Sequence, residues 1–146
     1  MYKGKLVGIC AVEEYDLKQL MDWRNTTDFR KYFREYRELN MDNQKNWFIN
    51  SVINDASNTM FAIRRLDDNK LLGCCGFVYI NWVHRHADLS LYIGHDDLYI
   101  DDIGYAEEAC NLLMNYGFNE LCLNKIWTDI YEFDKPKKDL YDKFGF

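Results

Sequence analysis

The stretch Ile103-Gly104-Tyr105-Ala106-Glu107-Glu108-Ala109, with the run that follows it to Asn119, decides how the rest of the chain is interpreted. Small and apolar residues recur in it at helical spacing, and they are Ala106, Ala109, Cys110, Leu113, Met114 and Gly117. Polar residues occupy the opposite face, and they are Glu107, Glu108, Asn111 and Asn115. This spacing is typical of an amphipathic helix. The sequence therefore predicts a helix that buries one face against the body of the protein.

The predicted helix begins with two small residues, Gly104 and Ala106. The first turn of a helix has unpaired N–H groups and a partial positive charge, so small side chains there let a phosphate group reach the backbone. The same residues are equally compatible with an ordinary helix start that binds nothing. Both interpretations stay open at this point.

Strands are predicted on both sides of this helix from their apolar pattern and the turn residues between them. Their ranges are 5–11, 59–64, 71–81, 88–93 and 125–131. Gly73 and Gly76 within one of these strands indicate a bulge or a close approach of backbones. The order of strands and helices predicts a single α/β domain over residues 1–146, with a mixed, largely antiparallel sheet.

Three aspartates are predicted to cap the remaining helices, since a short acidic side chain accepts hydrogen bonds from a helix start. They are Asp16, Asp42 and Asp134, the last followed by Pro136 in the first turn. The segment 29–37 carries aromatic residues at helical spacing with basic residues between them. This segment either packs its rings on the body of the protein or forms a mobile flap over a binding site.

The composition limits the possible functions. The chain has 146 residues and a net charge of -6, which argues against broad neutralisation of nucleic-acid phosphates. An acidic surface is compatible with a cationic acceptor. The five cysteines form no Cys-x-x-Cys pair and fit a reducing, cytoplasmic environment. No metal-ligand spacing, signal peptide or membrane-crossing run is present, so neither a metal nor a membrane partner is expected.

Several motifs in a fixed order resemble the GNAT family of acyl-CoA-dependent N-acetyltransferases. The resemblance covers essentially the whole chain, and its segments are 20–25, 79–82, 84–89, 103–109, 119–127, 131–134 and 140–146. The branch that it resembles most contains ribosomal-protein N-terminal acetyltransferases and bacterial spermidine acetyltransferases. The resemblance implies a GNAT-like central sheet flanked by helices, and acetyl-CoA as co-substrate.

The resemblance also implies roles for individual residues. Tyr141, in the segment Leu140-Tyr141-Asp142-Lys143-Phe144-Gly145-Phe146, is the candidate acid that protonates the departing thiolate, although it could be a plain amphipathic-helix residue. Asp88 is the candidate base for the amine, directly or through water, although it could be a polar strand end or an ion-pair partner. Binding of the CoA moiety is expected at Leu91, Tyr92, Ile93, Ile103, Gly104, Tyr105, Ala106 and Asp134.

The chain departs from the family pattern in its phosphate loop. Relatives usually carry Gln or Arg and then Gly before the position of Gly104, where this chain has Asp101-Asp102-Ile103. Each carboxylate facing a pyrophosphate would cost about 2–3 kcal/mol at an effective dielectric constant near 20. The expectation is that these side chains turn outward or that the cofactor is held poorly.

Two further departures concern the end of the chain. Asp134 replaces the family's Asn, and Lys137 replaces a small residue. The usual C-terminal strands are absent after Phe146, which suggests either a homodimer that fills the open edge or a fragment of a longer protein.

The sequence therefore predicts an acetyl-CoA-dependent N-acetyltransferase. Its acceptor would be a primary amine of a peptide or protein N-terminus, a polyamine or an amino sugar, and the amine would attack the thioester directly. The alternative is a non-catalytic GNAT-like module that binds CoA or another protein.

Overall fold

The computed structural model describes residues 1–146 and is built on one six-stranded sheet. Its strands are β1 (Tyr2–Lys3), β2 (Val7–Ala11), β3 (Thr59–Arg65), β4 (Leu71–Asn81), β5 (His86–Ile93) and β6 (Lys125–Trp127). They lie in sequence order; β1 to β5 are antiparallel, and β6 is parallel to β5. The prediction of a mixed, mostly antiparallel sheet is confirmed.

Five α-helices flank the sheet. They are α1 (Leu17–Asn25), α2 (Thr27–Arg30), α3 (Met41–Trp47), α4 (Tyr105–Asn115) and α5 (Lys135–Asp142). Helices α3 and α4 each continue into a wider π-helical turn, at Phe48–Ile53 and Tyr116–Glu120. None of the helices has the length and apolar character needed to cross a lipid bilayer.

The two faces of the sheet carry separate hydrophobic cores. The α4 core contains Ile63, Cys75 and Leu91 with the buried face of α4 and part of α5. The α1 core contains their sequence neighbours Ala62, Cys74 and Tyr92, with Leu17, Leu20 and Trp23 from α1. Neighbouring residues enter opposite cores because side chains alternate across a strand.

Close backbone approach explains the two glycines of β4. A Cβ atom at Gly73 would collide with the carbonyl oxygen of Tyr92, and one at Gly76 with that of Thr59. The predicted close approach at these positions is therefore confirmed. The β4–β5 register also shifts between Val78 and Asn81, where Tyr79 has a positive φ of 54°.

Two of the three predicted caps are wrong. The side chain of Asp16 caps no α-helix; it binds the guanidinium of Arg64 at 2.6 Å and accepts from the amide of Glu13 at 3.0 Å, because a buried arginine needs an anionic partner. Asn40, not Asp42, caps α3 by accepting a hydrogen bond from the amide of Asn43 at 2.9 Å. Asp134 does cap α5, through the amide of Lys137 at 3.2 Å.

Four strand boundaries also differ from the expectation, and the smallest difference is that β3 ends at Arg65 rather than residue 64. The first predicted strand begins at Val7 rather than residue 5, and the short strand β1 precedes it without a sequence signal. Strand β5 begins two residues earlier than predicted, at His86. Strand β6 ends at Trp127 rather than residue 131, because it separates from β5 there.

Candidate active site

A cleft of about 700 Å³ lies on the face of the sheet that carries the α1 core. Strands β4 and β5 form its floor, and α3 and residues 32–37 form its walls. Aromatic side chains make up much of its lining, and they are Tyr32, Phe33, Tyr36, Trp47, Tyr79 and Tyr92. A partly aromatic cleft with charged groups in its lining is a common form of a small-molecule site.

The segment 29–37 forms one wall of this cleft. It is helical only in α2, and turns follow. Its rings pack on the body of the protein: Tyr32 stacks on Tyr99 at 4.2 Å between ring centroids, and Phe33 meets Tyr92 edge-on at 5.1 Å. The predicted ring packing is confirmed for these rings and is wrong for Tyr36, which is 82% exposed; the mobility of this segment stays a prediction.

Asp88 lies on the floor of the cleft with its side chain only 3% exposed. Burial raises the pKa of Asp88, although the guanidinium of Arg34 donates a hydrogen bond to its carboxylate at 2.9 Å and acts in the opposite direction. A buried carboxylate whose pKa is raised is suited to accept a proton. The ion pair that the sequence left open as an alternative is also present.

Tyr141 lies in the α4 core, beside the cleft rather than in its lining. Its hydroxyl is buried and has no hydrogen-bond partner. Burial raises the pKa of Tyr141 strongly, and the nearby charges of Asp88 and Asp134 raise it further. A buried hydroxyl without a partner is costly, so this group is available to a ligand atom.

Strands β5 and β6 separate beside Asp88. Their pairing ends at Asp88 and Trp127, and the hydroxyl of Thr128 donates to the carbonyl of Leu89 at 3.1 Å. Further along, the amide of Ile93 donates to the carbonyl of Tyr99 at 2.9 Å. The backbone of Leu91 lies between these contacts, on an edge that β6 has left. Such an edge can form hydrogen bonds with an extended chain that contains amide groups, and the pantetheine arm of CoA is a chain of this kind.

The start of α4 differs from the expectation. The amides of Gly104, Tyr105 and Ala106 all donate to the carboxylate of Asp101, at 2.8, 2.8 and 2.7 Å. Asp101 therefore does not turn outward: its carboxylate satisfies the helix-start amides that the sequence left open to a phosphate. Asp102, in contrast, turns outward and is exposed.

The fit of acetyl-CoA to the chain is therefore mixed. The open edge at Leu91 fits the pantetheine arm, whereas the start of α4 does not fit a pyrophosphate in this conformation. Gly104 has a φ of 114°, which favours glycine, and Ile103 is exposed. The assignment of Leu91, Tyr92, Ile93, Ile103, Gly104, Tyr105, Ala106 and Asp134 to cofactor binding stays a prediction.

Asp134 and Lys137 extend this region on α5. The hydroxyl of Tyr99 donates to Asp134 at 2.8 Å, and Asp134 is almost completely buried. The ammonium of Lys137 lies 5.3 Å from the centre of the Tyr99 ring, and its side chain lines the cleft. Sequence reasoning noted Lys137 only as a departure from a pattern and gave it no role.

A six-stranded sheet that splits beside a buried carboxylate, with a helix packed behind it, is an arrangement typical of an acyltransferase fold. A sequence profile of the acetyltransferase (GNAT) domain matches residues 7–146. The chain therefore belongs to the GNAT acetyltransferase family. As predicted, it is an acetyl-CoA-dependent N-acetyltransferase.

Individual relatives support the same family assignment. The spermidine N(1)-acetyltransferase of Vibrio cholerae serotype O1 is 25% identical over 136 residues, which are 93% of this chain and 76% of that protein. The enzyme of the same name from Escherichia coli K12 is 27% identical over 141 residues, which are 96% of this chain and 72% of that protein.

A solved structure shows the same fold. The Vibrio cholerae spermidine N-acetyltransferase in complex with CoA and spermine superposes with a TM-score of 0.86 at 22% identity. The match covers 97% of this chain and 81% of that one. A dodecameric form of the same enzyme gives a TM-score of 0.79 at 23% identity, covering 98% and 80% of the two chains.

Proposed function

We propose that this N-acetyltransferase uses Asp88 and Tyr141 to acetylate a primary amine that enters the aromatic cleft. Acetyl-CoA supplies an acetyl group activated as a thioester. An amine is protonated at neutral pH, so it must lose a proton before it can attack the acetyl carbonyl. The buried carboxylate of Asp88 accepts that proton directly or through a water molecule.

Tyr141 acts on the other side of the reaction. The sulfur that leaves the acetyl group becomes a thiolate, and a hydroxyl beside it can donate a proton. The observation that carries the assignment is the buried, unpartnered hydroxyl of Tyr141, and burial raises its pKa so that it keeps its proton at neutral pH. Asp88 lies in the cleft, and Tyr141 lies beside it in the α4 core.

A thiol-release assay with Tyr141→Phe tests this assignment. The change removes only an unpaired hydroxyl, so folding should be unaffected. We expect kcat to fall by about 100-fold or more with the Kd of acetyl-CoA nearly unchanged, because proton transfer typically contributes that much. Tyr15→Phe, at a tyrosine that is 75% exposed, is the matched control. An unchanged kcat in Tyr141→Phe would exclude Tyr141 as the acid.

The acceptor classes under test are peptide N-termini, polyamines and amino sugars. Spermidine belongs on the panel because the relatives are named for it. Acetyl-CoA binding without thiol release across all three classes would instead select the non-catalytic binding module. A rise in melting temperature with acetyl-CoA separates binding from catalysis.

We also infer that the chain is cytoplasmic and associates with itself. All five cysteines are free thiols, which fits a reducing compartment. Strand β6 lies at the edge of the sheet, and Ile130 and Phe133, which follow it in the chain, expose apolar side chains that a second subunit could cover. One relative is dodecameric, which also supports self-association. Light scattering coupled to size exclusion gives the mass; a monomer at micromolar concentration would refute self-association.

A further inference from the structure

Four cationic side chains line the cleft, and two of them are already paired. Arg34 binds Asp88 at 2.9 Å, and Arg37 binds Glu35 at 2.8 Å. The guanidinium of Arg37 lowers the pKa of Glu35 to about 2, as expected for a carboxylate held in its charged form. These two pairs contribute little net charge to the cleft.

Arg24 is the first unpaired cation. It lies near the end of α1, and its guanidinium lies 5.1 Å from the centre of the Phe33 ring. Its Nε atom is buried without a hydrogen-bond partner, and no carboxylate lies within ion-pair distance of the guanidinium. A buried donor left unpaired in a binding cleft is available to an acceptor atom of a ligand.

Lys137 is the second unpaired cation. It lies in the first turn of α5, where the helix dipole disfavours positive charge. Burial lowers the pKa of Lys137 to about 8. The negative charges of Asp134 and Asp88 act to raise this pKa. The positive charges of Arg34 and Arg24 lower it further. Lys137 forms no direct ion pair; the carboxylate of Asp134 accepts hydrogen bonds from Tyr99 and from the backbone amide of Lys137, and its negative charge stays nearby.

The remaining acidic groups of the cleft form no ion pair with these two cations. Asp55 accepts hydrogen bonds from Ser57 and Asn58 at 2.6 to 2.8 Å. Asp129 is exposed to solvent. The lining carries four cationic and four anionic side chains, so its formal charge is balanced, but the two unpaired cations have no carboxylate in direct contact.

We propose that the acceptor is a primary amine that also carries a carboxylate, and that this carboxylate binds to Arg24 and Lys137. This inference rests on the proposed function, since it concerns the acceptor of the same cleft. The two cations attract a carboxylate, whereas a polyamine would bring further positive charge against them. This chain therefore differs in substrate class from the spermidine-named relatives that share its fold.

Matched pairs of amines test the proposal in the thiol-release assay with acetyl-CoA. Lysine and cadaverine differ only in a carboxylate, as do phenylalanine and phenethylamine, and spermidine completes the set. We expect the carboxylate-bearing member of at least one pair to have a kcat/KM at least tenfold higher than its partner. We also expect spermidine to be the poorest acceptor.

Two substitutions assign the effect to the named residues. Arg24→Gln and Lys137→Met should each reduce the preference for the carboxylate-bearing amine at least fivefold, chiefly through KM. Lys138→Met is the matched control, because Lys138 lies next on α5, is exposed and pairs only with Asp142. It should leave the preference unchanged.

The outcomes are distinguishable. If the protein without substitutions acetylates spermidine, cadaverine and phenethylamine as fast as the carboxylate-bearing amines, or faster, the proposal is overturned. The N-acetyltransferase assignment would then stay intact. Absence of thiol release with every amine would refute the proposed function and the inference together. The alternative that the two cations bind a carboxylate of the acyl donor is tested with succinyl-CoA. If thiol release is faster with succinyl-CoA than with acetyl-CoA, and Arg24→Gln abolishes that difference, the cations bind the donor and the proposal is overturned.

Discussion

Lys137 shows how one substitution in a family pattern changes the chemistry of a cleft. A small residue there would leave space beside Tyr99 and Asp134. The lysine instead places an ammonium over the Tyr99 ring, 5.3 Å from its centre. The ring face attracts the charge, but this contact compensates only part of the loss of hydration. The charged form of Lys137 is therefore destabilised in the folded protein.

Replacing Lys137 with Met should stabilise the free protein at pH 7. The folded pKa of about 8 lies below the ordinary value of 10.5, so the folded state binds fewer protons than the unfolded chain between these pH values. The penalty is complete below pH 8 and disappears as pH rises to 10.5. We expect a gain of about 1–3 kcal/mol at pH 7 that shrinks above pH 8.

Urea denaturation at several pH values measures this gain. The Lys138→Met variant is the control, since its side chain is exposed and should give no gain that disappears at alkaline pH. An equal gain for Lys137→Met at pH 7 and pH 10 would show that the ammonium of Lys137 is not destabilised.

At the scale of a single element, α4 is held at its start by two carboxylates. Asp101 accepts from the amides of Gly104, Tyr105 and Ala106. Glu108, one turn further on, accepts from the amides of Lys5, Leu6 and Val7 at 2.8, 2.6 and 2.7 Å. The first carboxylate completes the helix, and the second fastens the helix to the start of β2.

Asp101→Asn should strengthen CoA binding. Asparagine keeps an oxygen that can cap the helix, but it removes the negative charge from the place where a pyrophosphate would bind. We expect the Kd of CoA to fall about tenfold by isothermal titration calorimetry, which corresponds to about 1.4 kcal/mol. Asp102→Asn is the control, because Asp102 is exposed and caps nothing. Equal Kd values for the two variants would indicate that the pyrophosphate binds elsewhere.

Glu108→Ala should destabilise the protein by about 1–3 kcal/mol, because three backbone amides lose their partner. Partial burial acts to raise the pKa of Glu108, but the three backbone hydrogen bonds outweigh it and lower the pKa. Its contribution is thus present above the ordinary value of 4.5 and is lost as pH falls through the lowered pKa. Glu107→Ala, which breaks only an exposed pair with Lys143, should cost little in the same chemical denaturation series. A cost for Glu108→Ala no larger than that control would contradict the prediction.

On the scale of the whole molecule, a buried ion pair connects the helical side of the cleft to the sheet. Asp16 lies just before α1 and Arg64 lies in β3, and their side chains are 3% and 7% exposed. Desolvation acts to lower the pKa of Arg64, and the adjacent Asp16 carboxylate more than compensates. Charges this deeply buried are tolerated only as a pair.

Asp16→Ala should therefore cost about 3–5 kcal/mol of folding free energy, because it leaves the guanidinium of Arg64 buried and unpaired. The double variant Asp16→Ala with Arg64→Met should recover most of that loss. Asp22→Ala, which breaks the exposed pair with Lys18, is the control and should change stability by less than about 0.5 kcal/mol. A double variant no more stable than Asp16→Ala would show that packing, not charge, is lost.

The sequence by itself determined the sheet, the buried face of α4 and the class of enzyme. The spacing of apolar residues indicates which face of a helix or strand is buried. The bounds of β4 and the burial of Ala106 and Ala109 could therefore be predicted from the sequence. The roles of Asp88 and Tyr141 were reached through resemblance, and they remain to be measured. The cap of α5 by Asp134 was also readable, because it is local.

Only the tertiary structure decided which partners the charged side chains have. Asp16 and Arg64 are 48 residues apart in the chain, Arg34 and Asp88 are 54 apart, and Glu108 and Lys5 are 103 apart. A carboxylate that could cap a helix, bind a phosphate or pair with an arginine looks the same in every case. The partner of each carboxylate depends on which hydrogen-bond donors the fold brings within about 3 Å of it and shields from water. The local sequence does not indicate which donors these are.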